Sequence, residues 1–404
     1  MKTMRLISVI LSAILTLAAT SCAENKTQEK KAKYIFLMIG DGMGNSHVAA
    51  AESYLSYKSG KLGGELTTFR QFPNLCLCST HSASHNITCS SAAGTAIACG
   101  IKTDNGMLGV DPEGNTLKSI AYELKEEGYK IGIMSSVPIN HATPASFYGH
   151  NKSRSDYYNI SKEIPASGFE FFGGPGFISF NGADGKEEDI DVYLERNGYE
   201  VCYGPEEFTA TADTCDRIVF CQESNRKESA DNYVSDKAES EDLPLAGIME
   251  MAIEYLGDRQ PFFIMCEGGA IDWAAHDNKT MTMVNEVLDF DAAVAVAYRF
   301  YLQHPDETLI VVTADHETGG IALGSRKGGS NINWEKLENQ WDENGKKNDL
   351  GQKENTELNE SCAIGWTSYG HTGAPVPTYA IGIGAERFNG FIDNTDIKGK
   401  ILGE

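Results

Sequence analysis

The sequence predicts an α/β fold in which a mostly parallel central β-sheet has helices on both faces. Short apolar runs bounded by glycine, proline or polar residues have the length and flanks of buried strands. Segments with helical apolar periodicity separate these runs. Strands that alternate with helices are typical of a parallel sheet packed between two helical layers. Three runs end beside possible metal ligands, so we expect a site at the carboxyl ends of the strands.

The first 33 residues precede the predicted domain and indicate export. Residues 1–21 combine a basic start, an apolar stretch too short to span a bilayer and a run of small residues, which is typical of a secretory signal. Cys22 follows as in a bacterial lipobox, so we expect acylation of its thiol; cleavage at an ordinary signal site is the alternative. Residues 22–33 predict a polar tether. The expected location is the periplasm or outer envelope, with membrane contact only through the lipid.

The rest of the 404-residue chain is long enough for one large domain, which we place at residues 34–404. The formal net charge of −23 argues against nucleic acid as a dedicated partner. Segments near residues 151–244 and 322–365 are mixed or polar in composition and predict insertions that could cap a site or form an interface.

The cysteines after Cys22 predict two environments. Those within apolar runs are expected to be buried thiols, namely Cys76, Cys78, Cys99 and Cys266. Cys202, Cys215 and Cys221 lie in a polar region, where an oxidising compartment makes a disulfide plausible without fixing its connectivity. No pair has the spacing of a zinc finger, which argues against thiolate ligands for a metal.

In chain order, the first predicted strand is residues 34–39, and Asp41 follows it in a glycine-rich turn. Small side chains over residues 90–98 predict a helix that can approach a sheet closely. Ser90 would lie at its N-terminus, where free N–H groups and the helix dipole stabilise an oxyanion. In isolation, a serine that caps the helix is the simpler interpretation. A fourth apolar run, residues 131–134, leads towards His141.

The central stretch, residues 262–276, contains an apolar strand that ends at Glu267, two glycines and a helix start. Asp272 and His276 are four residues apart, so on a helix they share a face and could chelate zinc, although alone such a pair is more often a solvated face. Another strand, residues 309–313, leads to Asp315 and His316. Adjacent strand residues point to opposite faces, so these two can serve one site only in a turn.

Together these motifs resemble those of the alkaline phosphatases. The motifs are residues 39–44, 88–96, 141–144, 267–276, 313–320 and 370–373, and they occur in the family's order with similar spacing over most of residues 34–384. The resemblance implies the alkaline phosphatase fold with cap or insert regions. It also implies a phosphomonoesterase that acts on small phosphate monoesters through a phosphoserine.

The resemblance further implies two zinc ions and one magnesium ion, held by carboxylates, imidazoles and hydroxyls. The first zinc site is expected at Asp272, His276 and His371. The second is expected at Asp41, Asp315 and His316, with Ser90 as its exchangeable ligand. The magnesium site is expected at Asp41, Thr143 and Glu267. In the family pattern, the matching positions make Ser90 the nucleophile and Arg154 the arginine that binds phosphate.

Three positions depart from the best-known bacterial pattern. Cys89 stands where an Asp that helps to orient the arginine is usual, which leaves the order of Arg154 open. His141 stands where some members have Asp near magnesium, and Trp273 where some have Lys. The His/Trp combination is similar to another branch of the family, and it could change the occupancy of the third site.

Two alternative functions remain at this point. A phosphodiesterase or sulfatase of the same superfamily would share much of the site, but the implied magnesium site together with Arg154 favours monoesters. A non-catalytic phosphate- or metal-binding lipoprotein would need a lost ligand or nucleophile, and none is missing. The sequence is also compatible with a homodimer.

Overall fold

The computed structural model describes residues 31–226, 233–235, 242–343 and 350–404. The predicted signal, Cys22 and residues 22–30 of the tether lie outside these ranges. The strands in them are β1 (Tyr34–Gly40), β2 (Asn74–Ser79), β3 (Lys130–Ser135), β4 (Phe171–Gly174), β5 (Glu200–Tyr203), β6 (Ile218–Cys221), β7 (Phe262–Gly268), β8 (Thr308–Thr313), β9 (Glu317–Thr318), β10 (Ala322–Leu323), β11 (Ile364–Gly365), β12 (His371–Thr372), β13 (Val376–Gly382) and β14 (Gly390–Asp393).

The α-helices alternate with these strands along much of the chain, as expected. They are α1 (Asn45–Lys58), α2 (Ser90–Cys99), α3 (Ile120–Glu126), α4 (Ala142–Ala145), α5 (Tyr157–Ser161), α6 (Ile164–Ser167), α7 (Ile190–Arg196), α8 (Gly204–Thr211), α9 (Leu245–Leu256), α10 (Ala270–His276), α11 (Thr280–Gln303), α12 (Trp334–Glu343), α13 (Gln352–Ser361) and α14 (Asp396–Leu402). None of the helices in the described ranges is long and apolar enough to cross a membrane.

The predicted mostly parallel sheet is confirmed. Ten strands form it in the order β14-β2-β13-β8-β1-β7-β3-β4-β6-β5. Only β13 pairs antiparallel with its neighbours among these described strands. β1 lies between β7 and β8, with Tyr34 opposite both Phe262 and Thr308. The carboxyl ends of these three central strands therefore meet at one edge of the sheet.

Helices cover the central strands on both faces. Every residue of β1, β7 and β8 is buried, which requires a packed layer on each side of the sheet. One group of helices comprises α1, α9, α10 and α11, and another comprises α2, α3, α4 and α14. Helix α11 approaches β7 closely at Gly268, where a Cβ atom would lie 2.8 Å from the Phe290 ring of α11.

Part of the segment near residues 151–244 belongs to the central sheet. It supplies β4, β6 and β5, which extend the sheet in parallel beyond β3. The segment near residues 322–365 differs, because its strands β10 and β11 pair with each other in a separate two-stranded sheet.

The cysteine environments agree with the prediction in one respect and correct it in another. The four cysteines expected to be buried thiols are buried. The disulfide that the sequence left plausible among Cys202, Cys215 and Cys221 is not formed, because all three are free. Cys202 pairs with Phe220 across β5 and β6, so its side chain points to the opposite face from that of Cys221.

Candidate metal centre

Three central strands bring acidic side chains to one edge of the sheet. Asp41 follows β1, Glu267 lies near the end of β7, and Asp315 comes two residues after β8. The turn after β8 is fixed by backbone donors, because the amides of Gly42 and His316 donate to Asp315 Oδ1 at 3.1 and 2.9 Å. This turn lets Asp315 and His316 face the same site, as the sequence required.

The first ligand group consists of Asp272, His276 and His371, whose ligand atoms all lie within 4.8 Å of one another. His276 Nε2 is 3.3 Å from Asp272 Oδ2, and His371 Nε2 is 3.6 Å from Asp272 Oδ1. Helix α10 places Asp272 and His276 one turn apart, while β12 brings in His371 from a distant part of the chain. These are the three residues that the resemblance assigned to one zinc ion.

The second ligand group consists of Asp41, Asp272 and His316. His316 Nε2 lies 3.4 Å from Asp41 Oδ1 and 3.1 Å from Asp315 Oδ2, so all three residues expected at the second zinc site are together. Ser90 Oγ is 3.2 Å from the same nitrogen. The structure adds Asp272 to this group, so one carboxylate borders both groups, which the sequence did not predict.

The third ligand group consists of Asp41, His141 and Glu267. Thr143 Oγ1 lies 3.4 Å from Asp41 Oδ2, so the threonine expected at the magnesium site borders this group. The hydroxyl of Ser135 donates to the Glu267 carboxylate and orients it. Ser135 was not predicted from the sequence, although its place at the end of β3 beside β7 was the available signal.

The three imidazoles of the first two groups each have Nδ1 held by a neighbouring oxygen. His276 Nδ1 lies 2.5 Å from the carbonyl oxygen of Tyr369, and His371 Nδ1 lies 2.8 Å from that of Thr88. A carbonyl can only accept, so both Nδ1 atoms carry hydrogen and both Nε2 atoms face the ligand group. His316 Nδ1 is 3.2 Å from the hydroxyl of Thr318. Such anchoring of the second ring nitrogen is typical of metal-binding histidines.

Each of three buried carboxylates has one oxygen without a hydrogen-bond partner among the described residues. Asp41 Oδ1, Glu267 Oε1 and Asp315 Oδ2 have no hydrogen-bond partner within the part of the chain that the structure describes. Burial and then the neighbouring carboxylates raise the pKa of Asp41 well above its usual range, and burial does the same to the pKa of Asp315. Burial raises the pKa of Glu267 to about 7. Divalent cations would neutralise this charge, so the residues present fit a set of metal ions.

Asp272 has a different environment because histidines surround it. Its burial favours the neutral acid, but the hydrogen bond from His276 and the charges of nearby imidazoles hold the pKa of Asp272 below its usual range. The same hydrogen bond raises the pKa of His276 to about 9. Asp272 is therefore an anion that already attracts positive charge, as expected of a carboxylate placed between two cation sites.

Ser90 is the first residue of α2 and is 2% exposed. Cys89, not Ser90, occupies the N-cap position, and no side chain caps this helix end. The capping interpretation of Ser90 is therefore wrong, and its hydroxyl faces His316 instead. The Cys89 thiol accepts from the amide of Gly106 at 3.1 Å and lies 3.2 Å from Ser91 Oγ.

Arg154 is oriented by His141 at this site. Arg154 Nη2 donates to His141 Nε2 at 3.1 Å, and the His141 ring packs edge-on against Trp273 with centroids 5.7 Å apart. Burial, followed by the charge of Arg154, lowers the pKa of His141 to about 3, so this imidazole is neutral. The order of Arg154, which Cys89 left open in the sequence, thus has a structural basis at His141.

Comparison with known proteins gives consistent results. The sequence model of the family described as alkaline phosphatase matches residues 32–194 and 227–402. Alkaline phosphatase 4 of Bacillus subtilis is 30% identical over 434 aligned residues, covering 94% of this chain and 90% of that protein. Alkaline phosphatase 3 of the same organism is also 30% identical, with coverages of 95% and 93%.

Among solved structures, the alkaline phosphatase of the Antarctic bacterium TAB5 is similar, with a TM-score of 0.75 and 29% identity. The match covers 93% of this chain and 98% of that one. Two variants of the TAB5 enzyme, in which one histidine is replaced by Asp or by Glu, have Mg bound in the M3 site. The alkaline phosphatase of Thermus thermophilus, at 23% identity and a TM-score of 0.76, shares the fold.

Proposed function

The chain belongs to the alkaline phosphatase family, and from this premise we propose that it hydrolyses phosphate monoesters through a phosphoserine at Ser90. The observation that carries the proposal is the position of Ser90 Oγ. It lies at the N-terminus of α2 and 3.2 Å from His316 Nε2, beside the second ligand group. A hydroxyl there can approach a phosphoryl group whose charge is balanced by cations and by helix N–H groups.

The proposed cofactors are two zinc ions and one magnesium ion. Asp272, His276 and His371 would hold one zinc; Asp41, Asp315 and His316 would hold the other; Asp41, Thr143 and Glu267 would hold magnesium. The magnesium in the M3 site of the TAB5 variants supports a third cation site. Bound at these positions, the cations supply charge stabilisation for the attacking and leaving oxygens and lower the pKa of hydroxyl groups and water.

In the proposed reaction, Ser90 Oγ attacks phosphorus in line with the leaving alcohol. The hydroxyl proton of Ser90 passes to water as the Oγ–P bond forms and the ester P–O bond breaks, and the leaving oxygen takes up a proton from water to give the alcohol. Arg154 holds two phosphoryl oxygens through its planar guanidinium, while His141 Nε2 accepts from Nη2 and sets the direction of the fork. Water then attacks phosphorus, and cleavage of the Oγ–P bond releases phosphate and free Ser90.

Two features favour monoesters over diesters or sulfate esters. A terminal phosphate group carries two negative charges, which fits a site with three ligand groups and Arg154. A diester would place a second, uncharged substituent against the guanidinium. A role limited to binding is disfavoured, because Ser90, Arg154 and all the metal ligands that the resemblance implies lie together.

The test compares Ser90→Ala with Ser91→Ala, a matched change of the adjacent buried serine. We expect Ser90→Ala to lower kcat for an aryl phosphate by at least about 10³-fold, because the substitution removes the hydroxyl that forms the proposed intermediate. Ser91→Ala should stay within about tenfold of the wild type. Zinc content, activity on an aryl diester and the site of phosphorylation in acid-quenched protein are measured together. Phosphate found on Ser91, or full activity of zinc-free protein, would refute the proposal.

We also propose that the chain is exported and is held at a membrane of the envelope by acylation of Cys22. The support is the sequence of residues 1–21, which resembles a signal, and the polar residues that follow Cys22. An envelope location would give the enzyme access to phosphate monoesters outside the cytoplasm.

A further inference from the structure

We propose that Thr318 is a positioning residue whose single hydroxyl orients Asp272 and His316 together and so couples the first and second ligand groups. This inference rests on the proposed function, because it concerns the same centre. Thr318 is fully buried in β9, two residues after His316. Its role was not predicted from the sequence.

The hydroxyl lies between one residue of each group. Thr318 Oγ1 is 2.5 Å from Asp272 Oδ1 and 3.2 Å from His316 Nδ1. A hydroxyl has one hydrogen to donate, and an ionised carboxylate can only accept. Thr318 therefore donates to Asp272 and accepts the hydrogen of His316 Nδ1–H.

This arrangement fixes the tautomer of His316. With the hydrogen on Nδ1, the lone pair of the ring is on Nε2, which faces Asp41 Oδ1 at 3.4 Å and Asp315 Oδ2 at 3.1 Å. The other two imidazoles of the first two groups are held by backbone carbonyls, whereas His316 depends on a side chain. Loss of this hydroxyl would leave His316 free to exchange tautomers or to rotate.

The backbone around Thr318 keeps the hydroxyl in place. Its amide donates to the carbonyl of Gly42 at 3.1 Å, and it pairs with His371 across β9 and β12. Gly42 has a φ of +68°, and a Cβ atom there would lie 2.7 Å from Thr318 Oγ1. Threonine is also branched at Cβ, which restricts its χ1 rotation. The hydroxyl is thus held between Asp272, His316 and the turn that carries Asp41.

Because Asp272 borders both groups, one substitution is expected to weaken both sites. Valine has nearly the shape of threonine but cannot make either hydrogen bond. Outer-shell partners of metal ligands typically change metal affinity by about 10–100-fold when they are replaced. We therefore expect Thr318→Val to weaken the binding of two zinc ions, each by about 10–100-fold, and Thr318→Ser to bind them within about threefold of the wild type.

The experiment titrates zinc into the metal-free full chain in competition with a chromophoric chelator. The matched control is Thr308→Val, which removes another fully buried hydroxyl, bonded to the carbonyl of His304 at 2.9 Å at the opposite end of β8. Wild-type affinity at both sites in Thr318→Val would overturn the inference, and weakening of one site alone would overturn the coupling. A wild-type chain that binds zinc but does not cleave monoesters would instead refute the proposed function.

A second measurement needs no substitution at Thr318. Nitrogen-15 NMR of metal-free wild-type protein reports which nitrogen of His316 carries hydrogen, and His316→Gln identifies its signal. We expect the Nδ1–H tautomer, and a neutral ring with hydrogen on Nε2 would overturn the inference even if Thr318→Val fails to fold. A merely structural role for Thr318 would lower the stability of both its variants, but it would not make zinc affinity recover with serine.

Discussion

His141 is placed between Arg154 and the third ligand group. Its Nε2 accepts from Arg154 Nη2, yet His141 also belongs to the third ligand group with Asp41 and Glu267. A neutral imidazole favours zinc over magnesium, whereas a carboxylate oxygen favours magnesium. Residue 141 thus borders the third ligand group and contacts Arg154 as well.

We expect His141→Asp to tighten magnesium binding, lowering the concentration for half-maximal activation by about tenfold. The new carboxylate would also attract Arg154, which should strengthen phosphate retention and slow turnover. The measurement is magnesium activation of purified enzyme at fixed zinc, with phosphate inhibition recorded alongside. His304→Asp, at the end of α11, is the control and should leave the curve unchanged. An unchanged curve for His141→Asp would mean that the side chain does not reach the cation.

At the residue scale, the sequence predicted which side chains share one helix face or one turn. It did not predict contacts between side chains of different elements. Asp272 and His276 were visible because a helix places residues four apart on one face. The position of Asp272 beside the second ligand group could not be predicted, because it depends on how β9 and the turn after β1 pack against α10. Thr318 was missed for the same reason: its hydroxyl has meaning only once Asp272 lies beside it.

At the scale of elements, the close approach of α2 to α4 sets the position of Ser90 relative to the third ligand group. Gly94 lies where the two helices touch, and a Cβ atom there would be 2.8 Å from Ser146 Oγ and 3.4 Å from Thr143 Cα. Ser90 begins α2 and Thr143 lies in α4, so the spacing of these helices sets the distance between Ser90 and the third ligand group.

Gly94→Ala should therefore destabilise the protein by about 1–3 kcal/mol, because overpacking exceeds the gain in helix propensity. It should also lower kcat by displacing Ser90. Gly399→Ala in α14 is the matched control, since its nearest Cβ contact is 4.0 Å away at Glu404. Urea unfolding and kcat measure both effects. Equal stability of the two variants would show that α2 does not pack as closely as described.

Among the elements, the long buried strands were the most predictable. β1, β7 and β8 are apolar runs that end in glycine or polar residues, and all three were expected. β4, β5 and β6 have four residues each and lie in a segment of mixed composition. Their apolar runs were too short to show whether the segment extends the central sheet or forms a separate insertion. Their place in the sheet is decided by pairing with β3, which is a tertiary effect.

At the scale of the whole molecule, residues 1–33 predict where the enzyme resides. We expect Cys22→Ser to move the protein from the membrane fraction to the soluble envelope fraction, because the polar tether offers little apolar surface of its own. Cys215→Ser, which removes a free thiol within the domain, is the control and should stay with the membrane. Fractionation followed by an activity assay measures both. Membrane retention of the Cys22→Ser protein would exclude the lipid anchor.

The central position of β1 also has a consequence for the time course of folding. All seven residues of β1 are buried. Yet Phe262, the residue of β7 that pairs with Tyr34 of β1, follows Tyr34 by 228 residues (262 − 34). At about 5–20 residues per second, synthesis takes roughly 11–46 s to supply that partner. Until then β1 has neither of its partners in the sheet, β7 and β8. Asp41 and His371 are 330 positions apart (371 − 41), so the ligand groups can come together only after residue 371 has been made.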